Sequence, residues 1–287
     1  MGTDAVAAKE NIHGTMLRIH FAKIAYVTVS LPAFSLLFCF LSGVLFRFYD
    51  VNETVCKATN VIPSISAVTG ILPQAYVWRI CIGLHATPRF AVGIMYYNYY
   101  MERLRNISPQ YQTLYRNLIR LNFWLYTIEN SCLVGVTYIS NKENYPIHEK
   151  IFIVFMVACN CYMLLNTIIY RWSREATMSP SEQLSYRIKK WMFIAIISAT
   201  GGLIIFFIRH RFFCIPFAFS YFSACEYVIA YTNMTYHLSG YLEFQDYYFI
   251  AALVSPATET RNGDVITPLD GSPRKPLLRR RTGDNSL

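Results

Sequence analysis

The 287-residue sequence predicts an all-α fold: a polytopic membrane helical bundle of about six transmembrane helices with both termini in the cytosol. Three observations carry that reading. Hydrophobic residues make up 54% of the chain, and Asp, Glu, Lys and Arg together only 15%, against roughly 25% charged residues in an average soluble domain. The apolar residues are gathered into long runs, each near the roughly 20 residues needed to cross a hydrocarbon core about 30 Å thick. Short basic clusters separate the runs, and they are concentrated on alternate connections.

The first run, Ile24–Phe46, is longer than the core of a cleaved signal peptide and begins late, so it reads as a signal anchor. Further spans are expected at about 76–98, 118–139, 149–170, 190–208 and 215–237. The first, fourth and fifth are the clearest, because the other three carry polar or charged residues at their centres. Residues 1–23 are then a cytosolic N-terminal segment, 24–237 a six-helix membrane domain and 238–287 a cytosolic tail. The stretch Ser255–Leu287 is rich in Gly, Pro, Thr and charge, which predicts disorder. The segment Tyr241–Phe249 is expected at the membrane surface, and Tyr96, Tyr97, Tyr99 and Tyr100 as an aromatic belt at the interface.

Orientation follows from the cations. Eighteen Lys and Arg fall on the side of the two termini, six on the other side, and Arg79 and Arg89 lie inside the second span. The basic side is expected in the cytosol. The net charge of +9 is thereby explained by topology and lipid headgroups, so nucleic acid is not an expected partner. Residues 47–75, the longest loop, fall on the lumenal side. This makes Asn52, in Asn-Glu-Thr, the glycosylation candidate, and Cys56 and Cys214 the disulfide candidate. The other six cysteines lie in spans, and no metal-binding spacing is present.

An ionisable side chain at mid-membrane costs about 2.5–3.5 kcal/mol on insertion scales, so such residues are functional candidates. The second span carries Trp78, Arg79, His85 and Arg89, with Pro88 among them; at 100° per residue the charged three share one broad face. The third carries Asn122, Glu129 and Asn130. The sixth carries Glu226, Asn233 and His237 in one stripe. Turning the three polar faces together balances Arg79 and Arg89 against Glu129 and Glu226. Two readings follow: a buried ion-pair network that fixes helix register, or a polar cavity for a headgroup or for chemistry. Spacing alone favours the first. His85 is the candidate general base. No Ser/His/Asp arrangement or nucleophile elbow is legible, which points away from a covalent serine mechanism.

Several stretches also carry a resemblance. Ile62-Pro-Ser-Ile-Ser66 and the long block from Pro73 to Phe90 are similar to the family of post-GPI attachment to proteins factor 2, itself within the group named after the fibroblast growth factor receptor activating protein. Four further blocks agree in order. They are Arg120-Leu-Asn-Phe with Glu129-Asn130, Ile147-His-Glu with Ile151-Phe-Ile-Val-Phe, Arg209-His210 with Cys214, and Glu226-Tyr with Thr232-Asn-Met and His237. The resemblance spans about Leu17 to Phe244.

It implies lipid remodelling of glycosylphosphatidylinositol (GPI) anchors: a saturated fatty acid is added back to the lyso-GPI anchor, keeping GPI-anchored proteins at the cell surface. The implied setting is the Golgi membrane, with the endoplasmic reticulum as the alternative. Implied partners are the GPI-anchor lipid, membrane lipids and GPI-remodelling enzymes. If the chain is the acyltransferase, its co-substrate is acyl-CoA or a phospholipid acyl donor and no other cofactor is expected. His85 would then be the base, Glu129 or Glu226 would orient it, and Trp78, Arg79, Arg89, Asn122, Asn130, Asn233 and His237 would contact the headgroup. The alternative is a non-catalytic carrier that presents lyso-GPI to a separate enzyme.

Overall fold

The computed structural model describes residues 12–174, 178–254, 260–261 and 264–265. Six long helices dominate it: α1 (Phe21–Phe46), α4 (Gln74–Glu102), α5 (Gln112–Tyr138), α6 (Asn141–Trp172), α7 (Pro180–Phe213) and α8 (Ala218–Leu238). They overlie the six apolar stretches and extend several of them. Two short helices, α2 (Phe48–Asn52) and α3 (Ile65–Thr69), lie in the long connection between α1 and α4.

Local chemistry sets the helix ends. Ser140 and Glu143 close a capping box at the start of α6, and Ser179 and Glu182 repeat it at α7 with Pro180 in the first turn. Each box satisfies backbone N–H groups that a helix start leaves unpaired. The first turn of α6 is offset from the rest by a non-helical Asn144, two residues before Pro146. α7 stops at Cys214, which adopts a left-handed backbone conformation, φ 49°.

α4 packs between α1 and α5, α6 between α5 and α7, and α8 against α7 and α1. The core forms three layers along the bundle. At one end Phe21, Tyr96, Tyr100, Tyr115, Ile169, Tyr170 and Phe244 cluster. Tyr126, Met163, Tyr162, Ile196 and Ile229 fill the middle. Leu36, Cys39, Val51, Val68, Trp78 and Ile82 close the other end. Outside this core the bundle shows lipid-like faces: Leu45, Ile80, Trp124, Val157, Ile204 and Val228 are all exposed. Among the described residues, α1, α6 and α7 are long and apolar enough to cross a membrane.

Two expectations change. Tyr96 and Tyr100 are not a belt at the interface; they are buried, because their side of α4 turns inward onto Phe244 and Asn166. The chain after Leu238 does not leave the bundle at once. It makes a short turn, Ser239–Leu242, and buries Glu243 and Phe244. Of the described residues, 12–18, 249–254, 260–261 and 264–265 belong to a second unit. β1 (Ile12–His20) pairs with β2 (Tyr248–Val254), and β3 (Thr260–Arg261) with β4 (Asp264–Val265). Most of the stretch expected to be disordered, Ser255–Leu287, lies outside the described residues.

Candidate functional site: a polar network beside a buried cavity

α4 carries Arg89 into the centre of the bundle, where its side chain meets the fully buried Glu129 of α5; Nη2 to Oε1 is 2.9 Å. α8 supplies two more partners to the same oxygen. Asn233 Nδ2 donates to it at 2.9 Å, and His237 Nε2 lies 2.9 Å from it and 2.7 Å from Arg89 Nη2. The Tyr126 ring sits 5.2 Å from the Arg89 guanidinium carbon. Spacings of four and seven residues put these groups on inward stripes of their helices, and three stripes meet. Asn130 joins α5 to α4 by donating to the Ala86 carbonyl at 3.0 Å, beside Pro88.

His85 belongs to this network and is engaged at both ring nitrogens. Nδ1 is 2.7 Å from the Thr28 carbonyl of α1, and Nε2 is 3.3 Å from Arg89 Nη1. A carbonyl accepts only, so in the neutral ring the proton sits on Nδ1 and the Nε2 lone pair is held by Arg89. Neither Glu129 nor Glu226 makes the orienting contact expected for a His85 base.

Three other candidates sit elsewhere. Arg79 is ten residues before Arg89, about 15 Å along the helix, and does not share its site. It pairs with Glu143 Oε2 at 2.7 Å near the end of the bundle and also donates to the Thr137 carbonyl. The Glu143 carboxylate also accepts from the Ser140 backbone N–H and hydroxyl, both at 2.9 Å. Asn122 donates to Asn166, which Tyr100 and Tyr236 also bond; none of these joins the Arg89 cluster directly. Among the described residues, Glu226 pairs with no arginine. Its Oε2 accepts from the backbone N–H of Ile65 at 3.0 Å and so ties α8 to the start of α3.

A cavity of about 100 Å³ opens against this network. Trp78, His85, Glu226 and Asn233 line it, with Leu133, Phe152 and Phe155 forming apolar wall. On its far side stands a pair absent from the candidates: Ser66 Oγ lies 2.8 Å from His148 Nε2, while His148 Nδ1 lies 2.7 Å from the Ile139 carbonyl. The two are 82 residues apart, so no local motif announces them. Both nevertheless fall in blocks that carry the family resemblance.

A smaller cavity of about 40 Å³ lies across the network, bordered by Arg89, His237, Tyr96, Tyr236 and Lys189. Lys189, counted from the sequence as a loop cation, is buried and paired with Glu243 at 2.9 Å, which also accepts from Ser185. At the other end of the molecule Cys56 and Cys214 are disulfide-bonded, with 5.4 Å between Cα atoms. This ties the long first loop to the end of α7. Asn52 accepts from Asn60 and donates its side-chain nitrogen to the Phe48 carbonyl.

The model of the Frag1/DRAM/Sfk1/Cwh43P N-terminal domain matches residues 20–247. The chain is 45% identical over 228 residues to a Drosophila melanogaster protein named "Post-GPI attachment to proteins factor 2-like", covering 78% of this chain and 69% of that one. It is 35% identical over 231 residues to "Acyltransferase PGAP2" of Xenopus tropicalis, covering 80% and 90%. A Caenorhabditis elegans "Post-GPI attachment to proteins factor 2" is 31% identical over 237 residues, 80% of this chain and 87% of that protein. No solved structure matches the chain.

Proposed function

The chain belongs to the Frag1/DRAM/Sfk1/Cwh43P family, and from that premise we propose that it acts in GPI-anchor lipid remodelling as a membrane-embedded acyltransferase, restoring a saturated chain to a lyso-GPI anchor. The observation that carries the reading is the cavity. It lies inside an apolar bundle, yet ionisable or hydrogen-bonding groups border it, among them Ser66, His148, His85, Glu226 and Asn233. Ligand pockets for whole molecules run about 300–1,000 Å³. A space of about 100 Å³ suits the reacting ester, with the rest of each lipid outside it.

We further propose six membrane spans, α1 and α4 through α8. α4, α5 and α8 are too polar to qualify by hydropathy alone because their ionisable residues pair within the bundle. With the ends of α4 and α6 in the cytosol, the disulfide, Asn52 and the Ser66–His148 end fall in the lumen. That is the side on which an anchored protein presents its lipid. The Golgi membrane is the proposed location, with lyso-GPI and an acyl donor as partners. The Arg89 network then holds the wall of the cavity through its members His85 and Asn233, which line it.

The test uses purified protein in nanodiscs with lysophosphatidylinositol and either stearoyl-coenzyme A or distearoylphosphatidylcholine. Product formation is expected from one of the two donors. Tight binding of the lysolipid with no product from either would replace the catalyst with a carrier.

A further inference from the structure

We propose that Ser66 and His148 are the nucleophile and general base of the acyl transfer, so that the reaction passes through an acyl ester on Ser66. The proposal rests on the acyltransferase reading and adds the residues that perform it. Three features of the geometry carry it.

The first is tautomer control. His148 Nδ1 meets the Ile139 carbonyl at 2.7 Å, which in a neutral ring puts the proton there and aims the Nε2 lone pair at Ser66 Oγ, 2.8 Å away. A nucleophile, a base and a third group orienting that base make up the arrangement general to activated hydroxyls. The second is contrast with His85, whose Nε2 is taken by Arg89; Ser66 is the partner of His148, and a hydroxyl is the partner a base can deprotonate. The third is placement. Both residues line the cavity, and the segment bearing Ser66 is fastened from α8: Glu226 accepts from Ile65 N–H, and Ser220 Oγ accepts from Val61 N–H at 2.9 Å. Glu226 is thereby a positioning residue.

The chemistry balances without a redox partner. Ser66 Oγ attacks the carbonyl carbon of a donor thioester or phospholipid ester while His148 Nε2 takes the hydroxyl proton. Collapse breaks the bond to the donor sulfur or oxygen, which departs with that proton. The lysolipid hydroxyl then attacks the Ser66 ester and gives its proton to Nε2. Collapse breaks the Oγ–carbonyl bond, and Oγ takes the proton back.

The experiment combines turnover with trapping in nanodiscs, using the two donors named above, lysophosphatidylinositol, and an alkyl fluorophosphonate that labels activated serines. Expected are transfer by the wild-type protein, a phosphonyl adduct mapped to Ser66 by mass spectrometry, and at least about a 100-fold loss of rate in Ser66→Ala and in His148→Gln. Both variants are compared with the wild type in melting temperature, and the adduct on the unmutated protein stands whether or not they fold. Transfer by the wild type with an undiminished rate in Ser66→Ala, or with the adduct on another residue, would overturn the acyl-serine while sparing the acyltransferase reading. Loss in His148→Gln alone would do the same and leave His148 acting directly on the acceptor hydroxyl. Absence of transfer by the wild-type protein would overturn both.

Discussion

Removing the Arg89 guanidinium leaves Glu129 as an unpaired carboxylate in the dry centre of the bundle, and that asymmetry gives a sharp test of what the network does. Breaking a buried pair on one side costs about 3–5 kcal/mol, whereas replacing both partners by apolar groups costs far less. Arg89→Leu is therefore expected to lower the unfolding temperature in detergent strongly, and Arg89→Leu with Glu129→Leu to recover much of the loss. No recovery would mean that Asn233 and His237, which share the Glu129 oxygen, need the charge as much as Arg89 does. Helical periodicity made the stripe of Arg89, Glu129, Asn233 and His237 legible in the sequence. It could not assign partners along the helix axis, so Arg79 was balanced against the wrong acids. Lys189 was hidden for a related reason: its partner Glu243 lies 54 residues later, in a stretch read as tail.

At the scale of elements, the six long helices were readable because each needs a long apolar face, whereas the loop between α1 and α4 was not. That loop has no periodicity to read. Its order comes from side chains of α8: Glu226 on Ile65 N–H, and Ser220 on Val61 N–H and on Asn60. Ser66 thus owes its place to contacts some 160 residues away in sequence, and its pairing with His148 is invisible to any local pattern. The same contacts predict how the segment loosens. Glu226→Gln keeps a carbonyl oxygen to accept from Ile65 and should leave amide exchange over 61–69 close to wild type. Glu226→Leu removes the acceptor and strands a backbone donor, a loss of about 1–3 kcal/mol; faster exchange over 61–69 is expected, with α6 and α7 unchanged. Equal exchange in the two variants would assign the order of the loop to the disulfide at Cys56 instead.

For the whole molecule, the layering of the bundle ties chemistry to sidedness. The ends of α4 and α6 and the starts of α5 and α7 bring Arg103, Arg105, Arg116, Arg171 and Arg174 to one end, while the disulfide, Arg79–Glu143 and the Ser66–His148 pair occupy the other. Cations on short loops orient a membrane protein toward the cytosol, and a disulfide forms in an oxidising compartment. One criterion counts charge and the other reads redox state, and the proposed topology satisfies both. On that topology Arg105 and Glu53, both exposed, are expected to face opposite compartments. Cysteines introduced singly at these positions, in a background lacking the other exposed thiol Cys161, make the expectation measurable. A membrane-impermeant maleimide added to cells whose plasma membrane alone is opened should modify Arg105→Cys and spare Glu53→Cys until the internal membranes are dissolved. The reverse pattern would put Ser66 and His148 in the cytosol, facing away from any lumenal lysolipid, and the acyl-transfer reading would then need a path for the acceptor across the bundle, through the buried Arg89–Glu129 pair.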